Sequence, residues 1–417
     1  MDLEIKINIK RLMGNLDELS KIGRNEGGGI DRPFGSEAEK EARGWLLDYW
    51  EKNLKLPTRV DEIANLWVDY NTQRTGSKIV MGSHHDTVPD GGKFDGALGV
   101  LLATEILETI LENNLKLKHS ISVISFTAEE PNPYNVSTLG SKVLSGRLKK
   151  EDLLKIQNRN NKEPLEKLIH QLGGDIHGVK ETLMDNQNIA MFLECHIEQG
   201  KRLEQRNASL AAVSRITGIR REQYIVIGEA NHAGTTVMKD RKDALLAAAQ
   251  LILEIEKIAK EIGSDDVVAT VGYMKLEPNE SNIIPGRVCC MADIRTYQPD
   301  IEKVFEQKIK EMILRIEKER TVKIQREILL QQPHTDLSKE VIRAVQNAML
   351  ALGEEPISLI SMAGHDAANM ARITQSGMLF VRSEGGKSHC KEEYTKEEDI
   401  EKAGNAMLRA ILILDGD

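Results

Sequence analysis

No stretch of this 417-residue chain approaches the roughly 18 uninterrupted apolar residues that a membrane span requires. The longest candidate, from Gly96 to Asn113, is broken by Glu105, Glu108 and Glu112. The opening MDLEIKINIKRLMGNLDEL lacks the basic-then-apolar layout of a secretory signal. Only four cysteines occur (Cys195, Cys289, Cys290 and Cys390), and none forms a CxxC pair, so a reduced, cytoplasmic protein without structural disulfides is expected. Low-complexity tracts and repeats of fixed period are absent as well. Basic residues are outnumbered 56 to 65 by acidic ones, a net charge of −9, which argues against nucleic acid or an anionic membrane as partner. The lysines of IEKVFEQKIKEMILRIEKER, from Ile301, alternate with glutamates and read as a solvated helix face.

The remaining composition, 40% hydrophobic and 29% charged, is that of a globular protein. The length exceeds what one compact core accommodates, so two or more domains are expected. In the first half, helical and strand-like runs alternate. SEAEKEARGWLLDYWEKN, from Ser36, opens on a capping residue and carries apolar positions at helical spacing. IVMGSHHDTVP, ISVISFTAEEP and IAMFLECHIEQG are apolar runs that end in polar residues. This is the pattern of an open α/β sheet, whose ligand crevice lies beyond the carboxyl ends of its strands. Between about Val213 and Leu330 the order becomes strand, helix (Asp240–Ile262), two strands, helix (Asp300–Lys318), strand, which matches a ferredoxin-like unit. A helix over Ser338–Leu352 and the strand-then-polar run FVRSEGGKSH follow. The expected fold is thus α/β: a catalytic domain in two segments, 1–212 and 331–417, with a smaller α+β domain, 213–330, inserted between them.

Six of the ten histidines fall in five polar clusters at apparent strand or loop ends: His84 with His85, then His196, His232, His365 and His389. Asp86, Asp95, Glu129, Glu130, Glu198 and Asp366 accompany them or end neighbouring strands. A lone histidine is usually structural, but successive histidine/acid clusters at strand ends would be delivered to one crevice, and point to metal. His84 and Asp86, two apart, would face the same way, one binding metal while the other orients an imidazole. Asp95 sits at the mouth of the following helix and can offer one oxygen to each of two cations. Glu129 and Glu130 would diverge, one to ligate and one to reach a bound water. Gly91 and Gly92 lack the lysine and spacing of a phosphate loop and read as a tight turn.

The ordered series GSHHDTVPDGGKFDGALGV, FTAEEP, ECHIEQG, NHAGTTVM, PNESNIIPG, ADIR, AGHDA and SH with Glu392 and Glu393 downstream resembles the motif set of the hydantoinase/carbamoylase family. That family belongs to the aminoacylase-like metallopeptidases and includes N-carbamoyl-L-amino-acid hydrolases, allantoate amidohydrolases and β-ureidopropionases. The resemblance spans about Gly27 to the C-terminus. It implies a metallopeptidase-like mixed sheet and two divalent metals per subunit, with His84 and His196 on one, Glu130 and His389 on the other, and Asp95 bridging. It further implies Glu129 as general base, activating a metal-bridging water, and Asp86 as the supporting carboxylate. His232, Asn282 and Arg295 match substrate-holding positions, His232 also as a donor to the oxyanion; Gln199 and Gly364 are weaker substrate contacts. In the family the inserted domain makes a homodimer, so His232 or Asn282 could serve the partner's site.

Arg295 offers a planar fork suited to a carboxylate, with an intramolecular salt bridge as its structural alternative. A small anionic substrate follows, an N-carbamoyl-L-amino acid or allantoate-like ureido acid. An aminoacylase or dipeptidase with the same metals is the alternative enzyme, and a non-catalytic ligand-binding protein the remote one. Three imidazoles and two carboxylates suit zinc; manganese, cobalt or nickel would also fit. Pro131 and Pro133, Val237, Arg382, and Cys390 with Lys391 depart from the family pattern and leave every ligand position intact.

Overall fold

The computed structural model describes residues 5–71, 76–180, 188–263 and 267–416. The chain divides into a larger unit, Met1–Ser214 with Asp336–Asp417, and a smaller one, Arg215–Thr335. The expected limits were 213–330; the smaller unit ends later because its last strand, Lys323–Gln332, runs beyond the apolar run that marked it.

In the larger unit, among the described residues, a nine-stranded mixed sheet is built around four parallel strands. Their spatial order is Ser120–Phe126, Lys78–His84, Ile189–Ile197 and Gln375–Val381. Leu66–Tyr70 flanks them antiparallel on one side and Leu210–Ile216 on the other. The parallel strands are buried almost end to end, as strands covered on both faces must be. One face carries the helices Ile9–Lys21, Glu37–Tyr49, Ala97–Glu112, Lys339–Ala351 and Glu397–Gly416. A second apolar cluster forms around Phe34, Ile63, Tyr134, Leu139, Leu165 and Ile169.

Local chemistry explains these elements. The Ser36 hydroxyl accepts the Glu39 N–H at 3.0 Å, capping Glu37–Tyr49, and the Trp50 indole donates to Thr104 at 3.0 Å. The glutamates that interrupt Gly96–Asn113 all meet one cation: Arg11 lies 2.7 Å from Glu105, 3.2 Å from Glu108 and 2.5 Å from Glu112. No helix among the described residues is long and apolar enough to cross a membrane.

The smaller unit orders its strands Lys323–Gln332, Gly218–Ile227, Arg287–Thr296 and Val267–Glu277, all antiparallel, with the helices Ala244–Ile262 and Pro299–Arg320. That is the ferredoxin-like order. The first helix starts at Ala244 rather than Asp240, because the Asp243 carboxylate caps the N–H groups of Leu245 and Leu246. Its core gathers Tyr224, Val226, Leu251, Ile255, Val288 and Ile309.

Gly99 lets the helix Ala97–Glu112 lie directly on the sheet. A Cβ there would stand 2.4 Å from the Cys195 carbonyl oxygen and 2.7 Å from the Ser83 Cβ. Gly99→Ala is therefore expected to destabilise the fold by about 1–3 kcal/mol, the usual cost of overpacking. Urea denaturation checks this; an unchanged midpoint would show that the contact relaxes freely.

Candidate active site

The functional side chains collect beyond the carboxyl ends of the four parallel strands. His84 closes Lys78–His84, and His196 stands one residue before the end of Ile189–Ile197. Glu129 and Glu130 follow Ser120–Phe126, and His389 follows Gln375–Val381 in a loop. Asp95 precedes the helix Ala97–Glu112. His84, Asp86, Asp95, Glu130 and His196 are buried, whereas His389 is half exposed.

Asp95 is the centre. Its Oδ1 lies 3.5 Å from the Nε2 of His84 and 3.3 Å from that of His196. Its Oδ2 lies 3.4 Å from the Nε2 of His389, which is 3.3 Å from the Glu130 carboxylate. Glu129 approaches His84 Nε2 at 3.8 Å. Three overlapping groups of ligand atoms result: His84, Asp95 and His196; Asp95, Glu130 and His389; and His84 with both glutamates.

Imidazole orientation is set from behind. His84 Nδ1–H donates to the Asp86 carbonyl at 3.0 Å and His196 Nδ1–H to that of Ile197 at 2.9 Å, so in the neutral rings Nε2 carries the lone pair that faces Asp95. Gly96 makes room for this: at φ 63°, a Cβ there would fall 2.3 Å from the His84 ring.

Asp86 differs from expectation in one respect. The strand ends at His84, so the two-residue rule for one face no longer applies. Asp86 meets the imidazole mainly through its main chain, its carboxylate standing 3.5 Å away. The carboxylate instead accepts the N–H groups of Glu129 at 3.2 Å and Glu130 at 3.1 Å, holding the turn that presents both. That pair likewise lies past its strand, in a turn entered through Ala128 at φ 54°.

Gln199 also reaches the centre, its amide donating to Asp95 Oδ2 at 2.7 Å, while Gly364 lies in the loop before His365. His232 and Asn282 are neighbours in the smaller unit, where the Asn282 carbonyl accepts the Ala233 N–H. His232 Nδ1 accepts from Gly234 and Thr235 at 3.0 and 3.2 Å, which leaves Nε2 as the protonated nitrogen of the neutral ring. Arg295 takes the salt bridge that was its structural alternative, its Nε donating to Asp293 at 2.8 Å.

Two carboxylates escaped assignment from sequence. Glu393 accepts the N–H groups of Phe94 and Asp95, both at 2.9 Å, and the single Ser388 hydroxyl hydrogen is shared between Asp95 at 2.8 Å and Glu393 at 3.2 Å. Glu194 accepts from the Ser83 hydroxyl at 2.7 Å and the Ala367 N–H at 2.9 Å. Its place two residues before His196 on one strand was the available signal. Arg382, a departure from the family pattern, is a buried partner of Asp399 at 2.7 Å.

The electrostatics call for cations. Asp86, Asp95, Glu129, Glu130, Glu194, Asp366 and Glu393 crowd around three imidazoles. Burial, then Asp95, pushes the Glu130 carboxyl up to about 7, and burial with neighbouring carboxylates holds Glu129 well above its usual range. Burial and Glu194 bring Asp366 to about 8. The bond to Asp95 raises His389 to about 9. For His84, burial opposes but Asp86, Asp95 and Glu129 prevail and raise it well above normal; the imidazoles in turn hold Asp95 well below the ordinary carboxylate range, against burial. A donor set of three imidazoles and several carboxylates, whose ligand atoms fall into overlapping groups, fits two divalent ions.

The model of peptidase family M20/M25/M40 matches residues 80–413. The chain belongs to this family. M20 enzymes are metal-dependent, in keeping with the donor set. Among M20 relatives, the N-carbamoyl-L-amino-acid amidohydrolase of Pseudomonas sp. (strain NS671) is 32% identical over 98% of this chain and 99% of its own. A probable allantoate deiminase of Oryza sativa subsp. japonica is 32% identical over 95% of this chain and 86% of its own. The crystal structure of an amidase of the hydantoinase/carbamoylase family from Burkholderia multivorans superposes with a TM-score of 0.87, at 28% identity and 99% coverage of both chains.

Metal uptake by this M20 site must displace protons, because ligands bind deprotonated. Glu130 and His389, raised to about 7 and about 9, hold protons increasingly as pH falls through those values. Zinc affinity is thus expected to rise with pH between about 6 and 9, with proton release on binding at pH 7. Calorimetry in buffers of different ionisation enthalpy measures this, and zero proton release would contradict the ligand assignment.

Proposed function

We propose that this protein hydrolyses a linear C–N amide bond in an N-carbamoyl-L-amino acid or a related ureido acid of the allantoate type. The observation that carries the reading is the position of Glu129 beside the Asp95-centred cluster, 3.8 Å from His84. The relatives named as N-carbamoyl-L-amino-acid amidohydrolase and allantoate deiminase select this substrate class within a peptidase family.

His84 and His196 would hold one divalent ion, Glu130 and His389 the other, and Asp95 both. Zinc or manganese is the proposed metal, with cobalt or nickel admissible. Such ions supply Lewis acidity, polarising a carbonyl and bringing the pKa of water from 15.7 to about 7. Glu129 takes the proton of the attacking water as the hydroxyl adds to the carbonyl carbon, and returns it to the leaving nitrogen as the C–N bond breaks. His232 is assigned to the developing oxyanion, supported by the tautomer that Gly234 and Thr235 impose. Asn282, Arg295, Gln199 and Gly364 are assigned to substrate, with Arg295 facing its carboxylate. The smaller unit is assigned to homodimerisation: Val267–Glu277 is an edge of its sheet and exposes Val268, Tyr273 and Met274. A reducing, cytoplasmic setting accords with the four free thiols.

Two measurements test the reading. Metal-loaded protein should release ammonia from N-carbamoyl-L-amino acids or allantoate; cleavage only of N-acetyl amino acids or dipeptides would transfer it to the aminoacylase or dipeptidase reading. Glu129→Gln should lower kcat by about 10²–10⁴-fold, the usual worth of a general base, with bound metal retained. Near-normal turnover by that variant would remove Glu129 as the base.

A further inference from the structure

Gly91 and Gly92 fail as a phosphate loop, and their positions have other causes. Gly91 N–H donates to Ile30, and a Cβ on Gly92 would fall 2.3 Å from the Glu393 carboxylate. The same turn nevertheless lines a cavity of about 350 Å³ in the larger unit, within the size range of small-molecule sites. Its lining includes none of His84, Asp95, Glu130, His196 or His389.

Three cations reach this cavity: Arg24, Lys93 and Lys391. Lys93 is committed to Asp17 at 2.8 Å and lies 5.0 Å from the centre of the Phe94 ring. Lys391 donates to the Gly27 carbonyl at 3.1 Å, which uses one of its three N–H groups. The Arg24 guanidinium has no hydrogen-bond or ion-pair partner among the described residues. On the acidic side, Asp17 is matched by Lys93, and Glu393 is engaged by the N–H groups of Phe94 and Asp95 and by Ser388. The lining therefore presents uncompensated positive charge in a chain whose net charge is −9. Tyr394, exposed and packed edge to face at 6.2 Å on the buried Phe94, adds an apolar wall.

We propose that this cavity is a second binding site, for a small organic anion whose carboxylate or phosphate pairs with Arg24 and Lys391 and whose apolar part lies on Tyr394. A guanidinium fork beside an ammonium suits either oxyanion. The site is separate from the proposed hydrolysis and stands whichever substrate that reaction takes.

Calorimetric titration of the metal-loaded full-length protein with phenyl phosphate and, separately, benzoate tests it. Saturable binding of at least one probe is expected, weakened about tenfold in both Arg24→Met and Lys391→Met, as loss of a charge-assisted hydrogen bond implies. Tighter binding of phenyl phosphate would identify a phosphate ester as the natural class, and tighter binding of benzoate a carboxylate. Unaltered melting temperatures in the variants would assign the loss to the site rather than to the fold. Absence of binding to the wild type overturns the proposal. So does undiminished binding to both variants, which would place the anion at the metal centre.

Discussion

Asp95 is a buried carboxylate whose two oxygens face different imidazoles, and the surrounding structure is organised to keep it so. Oδ1 serves His84 and His196, and Oδ2 serves His389. An anion in this position is costly unless positive charge or hydrogen-bond donors surround it. Ser388 and Gln199 donate to it directly, and Glu393 fixes its backbone. The excess of carboxylates around three imidazoles is the electrostatic counterpart of two dications, in keeping with the metal dependence of the M20 family.

The scaffold delivers that geometry through close approaches. Parallel strands release His84, Glu129 and Glu130, and His389 at the same edge of the sheet, as doubly covered sheets do. Gly96 and Gly99 then allow the helix behind Asp95 to lie against the His84 ring and the strand of Cys195. Asp86 clamps the backbone of both glutamates, and Glu194 ties Ser83 on one strand to Ala367 at the start of a short helix. Ligands and supports thus come from every parallel strand or the loop after it, so the site forms only when the sheet is complete.

Much of this was legible from residue order. Strand runs ending in histidine and acid located the crevice, and alternating strands and helices after Val213 described the ferredoxin-like topology. Legibility failed where chain direction changed. Strand logic was extended past His84 and past Phe126, where turns had begun, so the carboxylate of Asp86 was matched to an imidazole rather than to two amide N–H groups. Glu393 stands in the motif series without a role and Glu194 goes unnamed there, because a supporting carboxylate carries no signature apart from the group it supports.

The sequence by itself determined which side chains are available and the order in which strands present them, because apolar runs and their polar ends are local properties of the chain. It also carried the family, through motifs spread from Gly27 onward. Which oxygen of Asp95 faces which imidazole, which nitrogen of His232 bears the proton, and which cations are left unpaired around Gly92 were decided by tertiary structure alone. Each depends on groups hundreds of residues apart, as with Glu393 and Asp95, or on backbone donors whose direction is set only once the turn is formed.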